Sequence, residues 1–167
     1  MKIKFLLIFG IMLLSFTTSG CGKDKELTEY EESVTAFIDA VGDIKIRMEE
    51  IDVNSEDSVV DVLICLDEMQ EQFYLLAQMD VPKEFASIES LADEASDYMT
   101  EAVSIYHQVF EADEYDASNA DVAAQNYDRA MKRLSYISTL LQGELPDDEN
   151  LIITEEEALD FEPVTEE

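Results

Sequence analysis

The sequence predicts an all-α protein, an up-down-up-down antiparallel four-helix bundle, from three observations. Apolar residues recur at alternating spacings of three and four along four separate stretches. That pattern lays one apolar seam on a helix, whereas a strand alternates every two residues. Five Gly and three Pro in 167 residues are too few for the tight turns of an all-β chain. The stretches are similar in length and joined by short connections, which makes sequential neighbours antiparallel. With 47% hydrophobic residues the chain has material for one core, so disorder throughout is excluded.

The first seam is Leu27, Tyr30, Val34, Phe37, Val41, Ile44, Met48 and Ile51, on a helix near 27–51. Gly42 falls on its outward face, where it costs about 1 kcal/mol relative to Ala. Asn54 or Ser55 is placed to cap a second helix near 55–79, with Glu56 and Asp57 at the positive end of its dipole. Its seam is Val59, Val62, Leu66, Met69, Phe73 and Leu76, and Cys65 on the flank reads as a small buried hydrophobe. Pro82 suits the first turn of a third helix near 82–112, because its missing N–H costs nothing there. Ile88, Leu91, Ala95, Tyr98, Ala102, Ile105 and Val109 form the third seam. Asp116, Ser118 or Asn119 caps a fourth helix near 118–142, and Gly143 supplies the left-handed residue that ends it. The fourth seam is Ala120, Ala123, Tyr127, Ala130, Leu134, Ile137 and Leu141.

Counted from opposite ends by helical rise, Ala95, Tyr98 and Ala102 fall level with Ala130, Tyr127 and Ala123. This predicts close backbone approach at two alanine rungs with a tyrosine layer between them, each phenol needing a hydrogen-bond partner. The same seams also allow an open pair of hairpins that completes its core by dimerising.

The N-terminus reads as an address. Lys2 and Lys4 precede an apolar run from Phe5 to Phe16 and then Thr17-Thr18-Ser19-Gly20-Cys21, the plan of a secretory signal. Its apolar part spans about 18 Å as a helix, too short for a hydrocarbon core of about 30 Å. Ser19-Gly20-Cys21 resembles the lipobox of bacterial lipoproteins, with Thr18 where Leu is usual. The resemblance implies cleavage before Cys21 and acylation of its thiol, palmitate included, which would anchor the protein on the extracytoplasmic face of the cell membrane. In a cell with two membranes, Gly22 lacks the Asp that favours inner-membrane retention, so the outer membrane is open to it. The mature part is similar to helical bacterial lipoproteins in composition alone. The expected organisation is a signal peptide at 1–20, a lipidated Cys and leash at 21–26, the bundle at 27–143 and an acidic, flexible tail at 144–167.

Charge separates the helices. The chain carries 40 acids against 10 basic residues, net −30; loss of 1–20 removes two lysines and no acid and leaves −32. Such a surface excludes nucleic acid, whose phosphates need a basic face, and is repelled by anionic headgroups. Counted over 26–51, 55–80 and 82–112, the first three helical segments carry −6, −7 and −6, but the fourth counts +1, with Arg129, Lys132 and Arg133 as an outward stripe. After Gly143 come eleven acids and no basic residue, interrupted by Leu151-Ile152-Ile153. On the second helix Val60, Ile64, Tyr74 and Leu75 face outward, an apolar strip expected to contact a partner or the tail. These and the basic stripe are the candidate interaction surface.

Catalytic chemistry is thin. His107 is the sole histidine, on an outermost position with Ser104 three residues before it, so it reads as solvated and not as part of a Glu-x-x-His metal motif. Asp113, Glu114, Asp116, Asn119 and Asp121 cluster in one loop but lack the Gly and closing Glu of a calcium loop. No catalytic residue, cofactor or metal site is predicted. The reading is a non-enzymatic interaction or structural module of the cell envelope, with an envelope protein as partner. The alternative is a small-ligand or cation-binding sensor with its site between the third and fourth helices at Tyr98 and Tyr127. A hydrolase working through carboxylates alone is a third option, disfavoured because no acid stands out on a seam.

Overall fold

The computed structural model describes residues 23–144. They form four helices, α1 (Lys23–Glu49), α2 (Ser58–Ala77), α3 (Ala86–Phe110) and α4 (Ala117–Leu141), with a 3₁₀ turn at Lys83–Phe85 and no strand among the described residues. The expected signal peptide at 1–20, Cys21 and the acidic tail beyond Glu144 lie outside the described residues. The main helix contacts join consecutive helices, most extensively α3 with α4, then α2 with α3, then α1 with α2, and the helices share one core. The described residues are therefore all-α, with packing that fits a bundle.

The predicted seams point into that core. Tyr30, Val34, Phe37, Val41 and Ile44 of α1 are buried, as are Leu66, Met69, Phe73 and Leu76 of α2. Phe37 meets Phe73 edge-on at 5.3 Å between ring centroids, a geometry that aligns ring edge with ring face. Cys65 is a buried free thiol. The exception on these seams is Val59, 43% exposed, because the first turn of α2 projects beyond the core.

Helix boundaries differ from expectation in three places. Helix α1 starts at Lys23, four residues ahead of 27, so the residues read as a leash are helical from that point. No Gly or Pro stands between Lys23 and Leu27 to prevent this, and Lys25 pairs with Glu29 one turn on, at 3.1 Å. Before α2 neither Asn54 nor Ser55 is the cap. The Asp52 carboxylate accepts from the Asn54 amide at 3.0 Å, forming a turn, and the Ser55 hydroxyl accepts from the Asp57 amide at 3.2 Å. Helix α2 then starts at Ser58 with no side-chain cap. Pro82 opens a 3₁₀ turn rather than α3 itself, the Phe85 amide donating to the Pro82 carbonyl at 2.8 Å. That turn places buried Phe85 against Tyr30, centroids 5.8 Å apart.

Both ends of α4 follow from local chemistry. Asp116 Oδ1 accepts from the amides of Ser118 at 2.9 Å and Asn119 at 3.2 Å, satisfying donors that the first turn leaves open. At the other end Gly143 has φ +74°. Its amide donates to the Leu140 carbonyl at 3.0 Å and the Glu144 amide to Thr139 at 3.1 Å, a Schellman closure that needs this left-handed residue.

One seam does not describe α3. A second row, Ala92, Met99 and Val103, is as buried as Ala95 and Ala102, because α3 packs against both α2 and α4. Toward α4 the contact is built on small residues. Ala95, Ala102, Ala123 and Ala130 are all 0% exposed, which fits close backbone approach and the most extensive helix pair of the molecule.

Candidate functional site

A cleft of about 390 Å³ receives residues from all four helices. Lys45, Met48 and Glu49 come from the end of α1, and Val62 and Leu66 from the early part of α2. Tyr106 and Phe110 from the end of α3, with Tyr127 of α4, make an aromatic wall. The rings of Tyr106 and Phe110, one turn apart, stack at 5.8 Å and 8°, and Tyr115 tilts against Phe110 at 6.5 Å. Burial pushes the phenols of Tyr106 and Tyr127 up, and Asp128 adds to both shifts. Each hydroxyl is therefore neutral at physiological pH and able to donate.

Tyr98 and Tyr127 do not form one site. Tyr98 is half-buried under the guanidinium groups of Arg129 and Arg133, each 5.6 Å from its ring centroid. Tyr127 is two residues before Arg129 and so points to nearly the opposite side of α4, toward the cleft. The face of Tyr98 is taken by cations attracted to its π-system.

The basic stripe is engaged by the molecule's own groups. Arg133 Nε donates to Glu94 of α3 at 2.6 Å, and its guanidinium also lies 5.8 Å from the Tyr136 ring. Lys132 Nζ sits 5.6 Å from the same ring. Arg129 donates to Oδ1 of Asn126, the buried polar residue of α4, at 3.3 Å. Arg133 through Glu94, and Arg129 and Arg133 through Tyr98, brace α4 against α3, while Arg129 and Lys132 remain exposed.

The apolar strip on α2 is exposed as expected, with Val60 at 55%, Ile64 at 48%, Tyr74 at 56% and Leu75 at 47%. Asp67 and Glu71, exposed on the same face, divide it into two patches. Val59 enlarges the first.

His107 departs from the solvated reading. Its Nε2 lies 2.8 Å from Asp67 of α2 and its Nδ1 2.9 Å from Glu111, and the side chain is 32% exposed. Hydrogen bonds to Glu111 and Asp67 raise its pKa, and the contact with Asp67 ties α3 to α2. Glu111, four residues on, was a visible signal; Asp67 is brought in by the packing of the helices. Arg47 of α1 similarly forms a two-pronged pair with Glu68 of α2.

Among the described residues no three His, Cys, Asp or Glu side chains converge as a metal site requires, and no helix is long and apolar enough to cross a membrane. The Asp116 carboxylate in the acidic loop is occupied as a helix cap. No protein-family model, curated protein or solved structure matches the chain. The class that fold and site define is thus a four-helix protein with an acidic exterior, two apolar patches on α2 and one aromatic cleft.

Proposed function

We propose that this chain is a lipid-anchored, extracytoplasmic lipoprotein whose acidic four-helix bundle serves as a non-enzymatic interaction or structural module of the cell envelope. The anchor rests on the lipobox-like Ser19-Gly20-Cys21 after a short apolar leader. An up-down-up-down antiparallel course is supported by the order of cross-helix contacts. From Phe37 to Arg47 along α1, the partners on α2 step back from Phe73 to Glu68. Along α3, Glu94 meets Arg133 of α4, and Tyr98, one turn later, meets Arg133 and also the earlier Arg129.

The observation that carries the interaction reading is the outer face of α2. Val59, Val60 and Ile64 at one end, and Tyr74 and Leu75 at the other, stand 43–56% exposed and share one helix, whereas the other exposed large apolar residues, Ile46, Val53, Tyr115 and Val122, are scattered over an otherwise mostly acidic exterior. Apolar patches rimmed by charge are what partner surfaces look like. Two measurements test the reading. Radiolabelled palmitate is expected to enter the wild type and not Cys21→Ser, and the variant should leave the membrane fraction; equal labelling of both removes the anchor. Crosslinking in intact membranes is expected to capture a defined envelope protein, with loss of the product in a Val60→Asp, Leu75→Asp double variant. An unchanged product in that variant removes α2 as the contact face.

A further inference from the structure

The aromatic cleft combines a shape with a sign of charge. Phe110, Tyr106 and Tyr127 line it with aromatic side chains, and about 390 Å³ is the scale of a small-molecule site. Its position sets the electrostatics. Helix α1 ends at Glu49 and α3 at Phe110, both lining residues, so the negative C-terminal poles of two helices border the space. The α2 and α4 residues that reach it, Val62, Leu66 and Tyr127, come from the second turn or deeper, away from the positive poles of those helices. Glu49 adds a carboxylate, and Asp128 lies within electrostatic reach of both Tyr106 and Tyr127. Lys45 is the one cation among the lining residues, and it is exposed.

We propose that this cleft binds a small organic cation, an amine or quaternary ammonium group on an apolar body, held by the aromatic side chains of Tyr106, Phe110 and Tyr127 and by the carboxylate of Glu49, with Asp128, next to Tyr127 in the chain, adding to the negative field from outside the lining. Ring faces carry negative potential and attract such cations at short range. The −30 charge of the whole chain raises their local concentration at long range. An anionic ligand of the same shape meets two helix C-termini and two carboxylates against one lysine. This assignment is independent of the membrane anchor and of the α2 surface.

Three probes of nearly one shape separate charge from shape: choline, its neutral carbon isostere dimethylbutanol, and the anionic dimethylbutanoate. Each is titrated into the full-length protein by calorimetry and by ligand-observed NMR. Choline is expected to bind tightest and to weaken as salt rises. Tyr127→Ala should weaken it about tenfold and Tyr127→Phe hardly at all. Asp128→Asn, an exposed change that leaves packing intact, should weaken it about threefold, and Lys45→Ala should strengthen it by about the same factor. Tyr98→Phe, outside the cleft, should change nothing. No saturable choline binding, tighter binding of dimethylbutanoate, equal binding of all three probes, or indifference to Asp128→Asn would each overturn the assignment.

Discussion

The two helix pairs at the ends of the chain are joined by opposite means. Between α3 and α4 the contact is built on Ala95, Ala102, Ala123 and Ala130, all fully enclosed, and its flank is sealed by Arg129 and Arg133 over Tyr98. Between α1 and α2 it is built on large rings, Phe37 against Phe73, with the Arg47–Glu68 pair at the surface. Small residues let backbones approach and leave nothing to remove; large ones hold them apart and supply most of the buried area. The two pairs should therefore fail under opposite substitutions.

The largest effect should come from Phe73→Ala. Phe73 is 0% exposed and fills the α1–α2 contact, so its loss is expected to cost about 3–5 kcal/mol in urea denaturation. The matched change on the other pair adds atoms. Ala102→Leu is expected to cost about 1–3 kcal/mol through overpacking. A neutral Ala102→Leu would mean that α3 and α4 are not in close backbone contact. Gly42→Ala sharpens the comparison from the α1 side. A Cβ there meets nothing within 4 Å, and the residue is helical, so thermal unfolding should show a gain of about 1 kcal/mol.

The smallest effect belongs to the link between the pairs, where His107 of α3 meets Asp67 of α2. Its folded pKa is raised, so the pairing stabilises the protein fully below the unfolded value of about 6.5, and the contribution is lost as pH rises through the folded value. Urea midpoints of wild type and His107→Gln should therefore differ most in mildly acidic buffer and converge in alkaline buffer. A difference that grows with pH would contradict the imidazolium bridge.

Much of this was legible before the fold was seen, and the misses share a cause. Val34, Phe37, Met69, Phe73, Ala95 and Ile137 are all in the core where the 3,4 spacing placed them. Asp116 and Gly143 end α4 as their chemistry requires. The second buried row of α3, at Ala92, Met99 and Val103, does not follow from a single 3,4 seam, because α3 has two neighbours. Tyr98 and Tyr127 were paired by height alone, without regard to the side of the helix each occupies. Of the cleft, Tyr106 and Phe110 were visible as an aromatic pair one turn apart; their convergence with Lys45, Met48 and Tyr127 was not.

Sequence by itself determined the four helices of the described residues, one inward face of each, the cap at Asp116, the stop at Gly143 and the burial of Cys65. All of these depend on the backbone period or on groups within a few residues of one another. Tertiary structure alone decided that Arg129 and Arg133 cover Tyr98, that His107 reaches Asp67 and that four helix segments enclose a cleft. Those outcomes depend on the rotation and axial offset of one helix against another, which are set by how side chains of different sizes interlock and are not written in the period of any single helix.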